Sequence, residues 1–201
     1  MIDIDTAFRY RLKLNKAAGF TCHSFISVLA SAVTQSGLDY VVKKNRPRVY
    51  VYSGALEEEE SQTEIAEVFL KIYVSPKEVK TKLLPFLEGS GFVLKEVETL
   101  PYHLSNVQNL ISHVCYQVTG VRGNISGALS SCLKEDREHL YSIERLDANE
   151  IKIIMKLNPS GSFKPVQELL KSLGLDVEKE GYKAIRTALY WVDKNGVLRP
   201  I

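Results

Sequence analysis

Arg9, Arg11 and Lys13 stand at every second position of Phe8-Arg9-Tyr10-Arg11-Leu12-Lys13-Leu14. In an extended strand that spacing puts three cations on one face and Phe8, Tyr10, Leu12 and Leu14 on the other. Cations neutralise phosphates and aromatic rings stack on bases. A row of this kind, joined by Phe69, Lys71 and Tyr73 from a later alternating stretch, therefore has the composition of a nucleic-acid face. Lys16 and the basic segment Lys43, Lys44, Arg46 and Arg48 extend it. The same row has a second reading, in which Glu67 and the acidic run Glu57 to Glu60 neutralise it, or a second sheet covers it, and the face is solvated or inter-domain.

Two glycine-bearing turns each offer free backbone amides beside a cation, the arrangement that can hold an anion. They are Gly120-Val121-Arg122-Gly123-Asn124 and Ser160-Gly161-Ser162-Phe163-Lys164-Pro165. Arg122, Gly123, Ser162 and Lys164 are the candidate contacts. Neither turn is followed by the Gly-Lys-Ser/Thr of a P-loop, and ordinary turn and capping chemistry explains both equally well. Arg186 shares a strand face with Ala184, Ala188, Tyr190 and Val192, where a cation needs an internal acid or a ligand phosphate as partner. His23, His103, His113 and His139 are dispersed, so no metal and no cofactor is predicted. His113 and Cys115 share a strand face, as a joint site or as half-buried packing. At the head of a helix, Cys22-His23 joins a thiol to an imidazole; adjacent helical residues point apart, which leaves capping or packing as the other reading.

The elements that must position these residues follow from pattern. At 201 residues, 45% hydrophobic and 25% charged, the chain has the composition of a globular protein with a real core. Residues 1–100 carry 13 Lys+Arg and 13 Asp+Glu and the remainder 13 and 11. An electrostatic site must therefore be a local patch. Three cysteines without a Cys-x-x-Cys pair argue against a disulfide framework or structural zinc. The acidic start and the lack of a long apolar run lead us to expect a cytoplasmic protein that does not enter a membrane.

Strands are expected at residues 8–14, 49–52, 65–74 and 92–97, and helices over Phe25 to Val33 and from Pro76 onward. Ser75-Pro76-Lys77-Glu78 supplies a capping box for the second helix, and Pro85 should kink it or end it early. The order then repeats: strand 110–119, helix 125–133, strands 140–146 and 151–157, a helix from Pro165 to Leu173, and strand 182–192. We therefore expect an α+β protein of two tandem ferredoxin-like (βαββαβ) units with antiparallel sheets, spanning residues 1–100 and 109–201 and joined by a connector at 101–108. The rival is one larger α+β sheet built from the same strands.

Several short stretches together resemble the radical-SAM-linked family of unknown function, a domain found beside or fused to radical SAM proteins. They are Phe8-Arg9-Tyr10-Arg11-Leu12 with Lys16 and Gly19, His23, Asn45 with Pro47-Arg48-Val49, Ser61-Gln62-Thr63-Glu64, Pro165, and Ile185-Arg186-Thr187-Ala188-Leu189. The family's Ser-His-Leu-Asp turn stands here as Cys22-His23-Ser24-Phe25, without its acid, and its Asn-Pro-x-Pro as Asn45-Arg46-Pro47. The resemblance implies an accessory role near RNA and a radical SAM protein as partner, and it implies no reaction. The chain lacks a Cys-x3-Cys-x2-Cys cluster motif.

Three functions follow. The first is a non-catalytic accessory or RNA-binding module that acts with a radical SAM protein or in RNA processing. The second is a protein-interaction adaptor that binds no nucleic acid. The third is an enzyme using His23, for which no nucleophile and base are spaced.

Overall fold

Alternation of apolar and polar residues becomes strand β1, Phe8–Lys16, in a computed structural model of the chain. The structure describes residues 7–52, 55–101, 110–132, 134–158, 163–177, 181 and 183–201. Two compact units emerge, Met1–Asn106 and Val107–Ile201. The protein is α+β, and the strand pairings within each unit are antiparallel. Most of the expected connector, 101–108, lies outside the described residues.

In the first unit β1 is followed by α1 (Cys22–Gln35), β2 (Val42–Lys43), β3 (Arg46–Pro47), β4 (Val49–Tyr52), β5 (Glu60–Leu70), α2 (Pro76–Leu87) and β6 (Phe92–Leu100). The strand order is β6-β1-β5-β4. Tyr10, Leu12 and Leu14 of β1 and Ala66, Val68 and Leu70 of β5 face the core with Phe25, Leu29 and Val33 of α1 and Val79, Leu83 and Leu87 of α2. The buried Tyr10 hydroxyl donates to the carbonyl of Val74 (2.6 Å) and accepts from its amide (2.8 Å), so the phenol enters the core with its polar end satisfied. Phe25 stacks on Phe92 with centroids 4.2 Å apart.

Capping chemistry sets the helix starts. Thr21 Oγ1 accepts from the Ser24 amide to open α1, and Ser75 Oγ accepts from the Glu78 amide to open α2. The helix α2 runs through Pro85 to Leu87. An early end does not occur, because a proline so near the C-terminus removes one hydrogen bond of the last turn and its exposed ring is tolerated. β5 stops at Leu70, short of the expected Val74, and Ile72 lies exposed beyond it.

The second unit contains β7 (His113–Thr119), β8 (Val121–Arg122), α3 (Ile125–Ser131), α4 (Lys134–His139), β9 (Leu140–Asp147), β10 (Glu150–Lys156), α5 (Val166–Ser172), β11 (Asp176–Val177), β12 (Lys183–Val192) and β13 (Leu198–Pro200). Its main order is β12-β7-β10-β9. The helix expected over 125–133 is α3, which ends at Ser131, and α4 at Lys134–His139 is a helix that the sequence pattern did not lead us to expect. The core face carries Val114, Tyr116 and Val118 of β7, Ile151, Ile153 and Met155 of β10, and Val166, Leu169 and Leu170 of α5, all buried.

A bulge corrects one expectation. Arg186 pairs with Tyr116 but Ala188 pairs with Cys115, so Thr187 is the extra residue. Ala188 and Tyr190 therefore leave the face of Arg186, and Leu189 takes their place.

Candidate functional site

Between α1 and the segment after it lies a cleft of about 250 Å³, lined by Ser27 and Ala30 of α1 and by Lys43, Lys44, Arg46, Arg48 and Tyr50 among others. Local backbone chemistry builds it. β2 and β3 pair as a hairpin, Val42 with Pro47 and Lys43 with Arg46, and the turn residues Lys44 and Asn45 have φ of 52° and 61°. Two left-handed residues are the pattern of a type I′ turn, which asparagine tolerates readily and lysine less so. The Arg48 amide donates to the Val41 carbonyl (2.7 Å), closing the hairpin base.

The side chains form a cation and aromatic cluster. Lys43 Nζ donates to the Tyr50 hydroxyl (3.0 Å) and lies 5.1 Å from its ring centroid. The Arg48 guanidinium sits 4.2 Å from the Phe69 centroid and 5.6 Å from that of Tyr50, and these two rings meet edge to face. The Lys43 hydrogen bond, and after it Arg48, hold the Tyr50 phenol below its ordinary pKa. No carboxylate lines the cleft, and among the described residues Lys44 and Arg46 form no ion pair. Four positive charges thus share a small concave space without a counter-charge.

The β1 row is neutralised. Arg9 Nε and Nη2 bind the Glu67 carboxylate at 2.8 and 2.9 Å, with side chains 7% and 0% exposed. Arg11 bridges Glu67 and Glu98 at 3.5 Å, and Lys13 reaches Glu96 at 3.5 Å. The Tyr52 hydroxyl also donates to Glu67 (3.2 Å); burial, then the Glu67 charge, raises its pKa. The reading of Arg9, Arg11 and Lys13 as open phosphate contacts is corrected: register sets Arg11 opposite Glu67 on one side and Glu98 on the other.

The remaining members of the expected face are dispersed. Phe69 is 4% exposed and lies under Arg48, so it offers no surface to a base. Lys71 pairs with Asp39 (2.7 Å). Tyr73 is exposed and packs edge to face with Phe8. Lys16 is buried, its ammonium donating to the carbonyls of Leu56 (2.9 Å) and Glu59 (2.6 Å). Of the acidic run, Glu57 and Glu58 are exposed, whereas Glu59 folds inward and accepts from the Leu56 amide.

In the second unit the described residues of the two turns make internal contacts. Asn124 Oδ1 accepts from the Ser126 amide, Arg145 Nη2 donates to the Gly123 carbonyl (2.6 Å), and Arg122 is paired in register with Asp176. Lys164 is bound to buried Asp136, whose pKa it lowers. Ser162 lies outside the described residues. Arg186 is 0% exposed on the core face, where a ligand phosphate has no access.

His113 and Cys115 are both buried; the imidazole Nδ1 is 2.9 Å from Ser112 Oγ and the ring meets Tyr141 edge to face. Burial, then the charge of Lys156, lowers the His113 pKa. His23 is exposed on α1, while His103 and the Cys22 side chain lie outside the described part. Among the described residues no three His, Cys, Asp or Glu side chains converge as metal ligands, and no helix is long and apolar enough to cross a membrane.

Sequence reasoning missed Tyr50, taken only as part of a strand, and the hairpin itself. The signal was present in Asn45 between two basic pairs, a turn residue inside a charged run.

No family model matches the chain and no curated protein matches it, so the likeness to the radical-SAM-linked family rests on its short motifs alone. Among solved structures, the chain is similar to a protein provisionally described as a glycine cleavage system transcriptional repressor, with 12% identity, 90% of this chain and 98% of that chain covered, and a TM-score of 0.32. An unknown protein from Galdieria sulphuraria is 10% identical over 89% of this chain and 98% of that one, with a TM-score of 0.30. Likenesses at these scores decide neither fold nor activity.

Proposed function

We propose that the protein is a cytoplasmic, non-catalytic RNA-binding module whose contact surface is the basic hairpin, and that it acts in RNA processing beside a radical SAM protein. The observation that carries the RNA reading is the local excess of charge: Lys43, Lys44, Arg46 and Arg48 line one cleft with no carboxylate among its walls. A chain with a net charge of only +2 has little long-range attraction for a polyanion, so a patch of this kind has to supply it. The radical SAM partner is carried by the sequence resemblance alone. We also read each unit as ferredoxin-like, two in tandem, because the strand orders β6-β1-β5-β4 and β12-β7-β10-β9 are what two βαββαβ units would give.

The test is fluorescence anisotropy of the full chain with a labelled single-stranded RNA of twelve nucleotides, at 50 and 200 mM salt. With four cations on phosphates the log–log slope should be about −2.8, a loss of roughly fifty-fold across that range. Lys44→Glu/Arg46→Glu should abolish most of the affinity while leaving circular dichroism and melting unchanged, since both side chains are exposed. A salt-independent affinity, or one the charge reversal leaves alone, overturns the reading in favour of the adaptor.

A further inference from the structure

We propose that the cleft takes the terminal phosphate monoester of an RNA strand, with the Arg48 guanidinium as its fixed anchor; this rests on the RNA reading of the same site. Size gives the first reason. About 250 Å³ is below the roughly 300–1,000 Å³ of sites for drug-sized ligands, enough for a phosphate with part of its sugar and too little for several nucleotides.

Charge gives the second reason. An internal phosphodiester carries one negative charge, whereas a terminal monoester carries about −1.5 to −2 at pH 7. Four cations within one small cleft, and no carboxylate, match the dianion better than the monoanion. A strand running through would need only one or two of them at any phosphate.

Arg48 supplies the third. Its guanidinium lies against Phe69 at 4.2 Å, and its Nε is buried without a hydrogen-bond partner. The side chain is therefore held by the aromatic ring instead of by a carboxylate, and its remaining donors are uncommitted to any acid. A planar fork fixed in this way suits bidentate contact with phosphate oxygens, which a lysine cannot reproduce. Tyr50 adds a donor: its oxygen accepts from Lys43, which leaves its own O–H for a phosphate oxygen.

The experiment compares three otherwise identical twelve-nucleotide RNAs by anisotropy with the full chain at pH 7.5: one with a 5′-phosphate, one with a 3′-phosphate and one with hydroxyls at both ends. One phosphorylated strand should bind about tenfold tighter than the hydroxyl strand, the effect of one further charge near several cations at intermediate dielectric. The advantage should fade near pH 5, below the second phosphate pKa of about 6. Arg48→Lys should remove the advantage by weakening the phosphorylated strand more than the hydroxyl strand, and Tyr50→Phe should reduce it. Equal binding of the three strands overturns the inference and leaves the RNA reading standing, whereas equal competition by adenosine monophosphate alone overturns both, because it makes the occupant a free nucleotide. An advantage that survives Arg48→Lys removes Arg48 as the anchor. Failure of every strand to bind removes both readings together.

Discussion

Glu67→Met tests whether the cations of β1 are structural. Glu67 is 0% exposed and its carboxylate accepts two hydrogen bonds from Arg9 at 2.8 and 2.9 Å, a contact from Arg11 at 3.5 Å and one from the Tyr52 hydroxyl at 3.2 Å. An exposed ion pair contributes about 0–1 kcal/mol, because water and salt screen it. That discount does not apply here, since the Arg9 and Arg11 side chains are only 7% and 12% exposed. Removing the shared acid leaves buried charge uncompensated, at a cost of about 3–5 kcal/mol. With a urea dependence of about 2 kcal/mol per molar, the unfolding midpoint of the first unit should fall by roughly 2 M. The double variant Arg9→Met/Glu67→Met should lose less than the sum of the two single losses, the signature of a direct partnership. A Glu67→Met loss under about 1 kcal/mol would refute the reasoning, because it would mean that the arginines find water or another acid at little cost. RNA affinity gives a second reading: Arg9→Met, assayed where it is folded, should bind like the parent.

Two further outcomes follow from the same geometry. Gly91→Ala should destabilise by about 2–4 kcal/mol in urea melts, because its φ of +83° is left-handed and an added Cβ would lie 2.1 Å from the Phe20 ring; a change under 1 kcal/mol would mean that Phe20 moves aside freely. His113 has its pKa pushed below the ordinary 6.5 by burial and then by Lys156, so the folded chain binds its proton less readily than the unfolded chain. Its contribution is therefore fully present above about pH 6.5 and is lost progressively as pH falls from there toward the folded pKa. Melts at pH 7.5 and 5.5 should show that acid-side loss, and His113→Phe should flatten it; an unchanged slope would assign the loss to other groups.

Much of the architecture was legible because local pattern and tertiary packing agree. The strict alternation of Phe8 to Leu14 becomes β1 with Tyr10, Leu12 and Leu14 inside, and Ser75-Pro76-Lys77-Glu78 opens α2 as its capping residues require. Misreadings occur where one residue shifts the phase. An extra residue at Thr187 sends Ala188 to the opposite face from Arg186, and no propensity marks a bulge at a threonine. The end of β5 is similar: the alternation continues to Val74 in sequence, but pairing with β1 runs out at Phe8 opposite Leu70, so the pattern outlives the strand.

The candidate site shows why a list of cations does not locate a binding surface. Arg9, Arg11 and Lys13 have the spacing of a binding row, yet antiparallel pairing brings Glu67, Glu98 and Glu96 beside them, and those contacts join residues 56 to 87 positions apart. Nothing local to the row reveals its neutralisation. Lys43, Lys44, Arg46 and Arg48 are the opposite case: a hairpin closed by two residues keeps them together over six positions, and no long-range pairing supplies an acid. Short-range structure preserves a charge cluster that can be read from sequence, while long-range register decides whether a charged strand stays open. On the proposed reading the basic hairpin is the surface that holds a polyanion, and Arg48, held by an aromatic ring where Arg9 is pinned by a carboxylate, is the cation whose removal should matter most to binding.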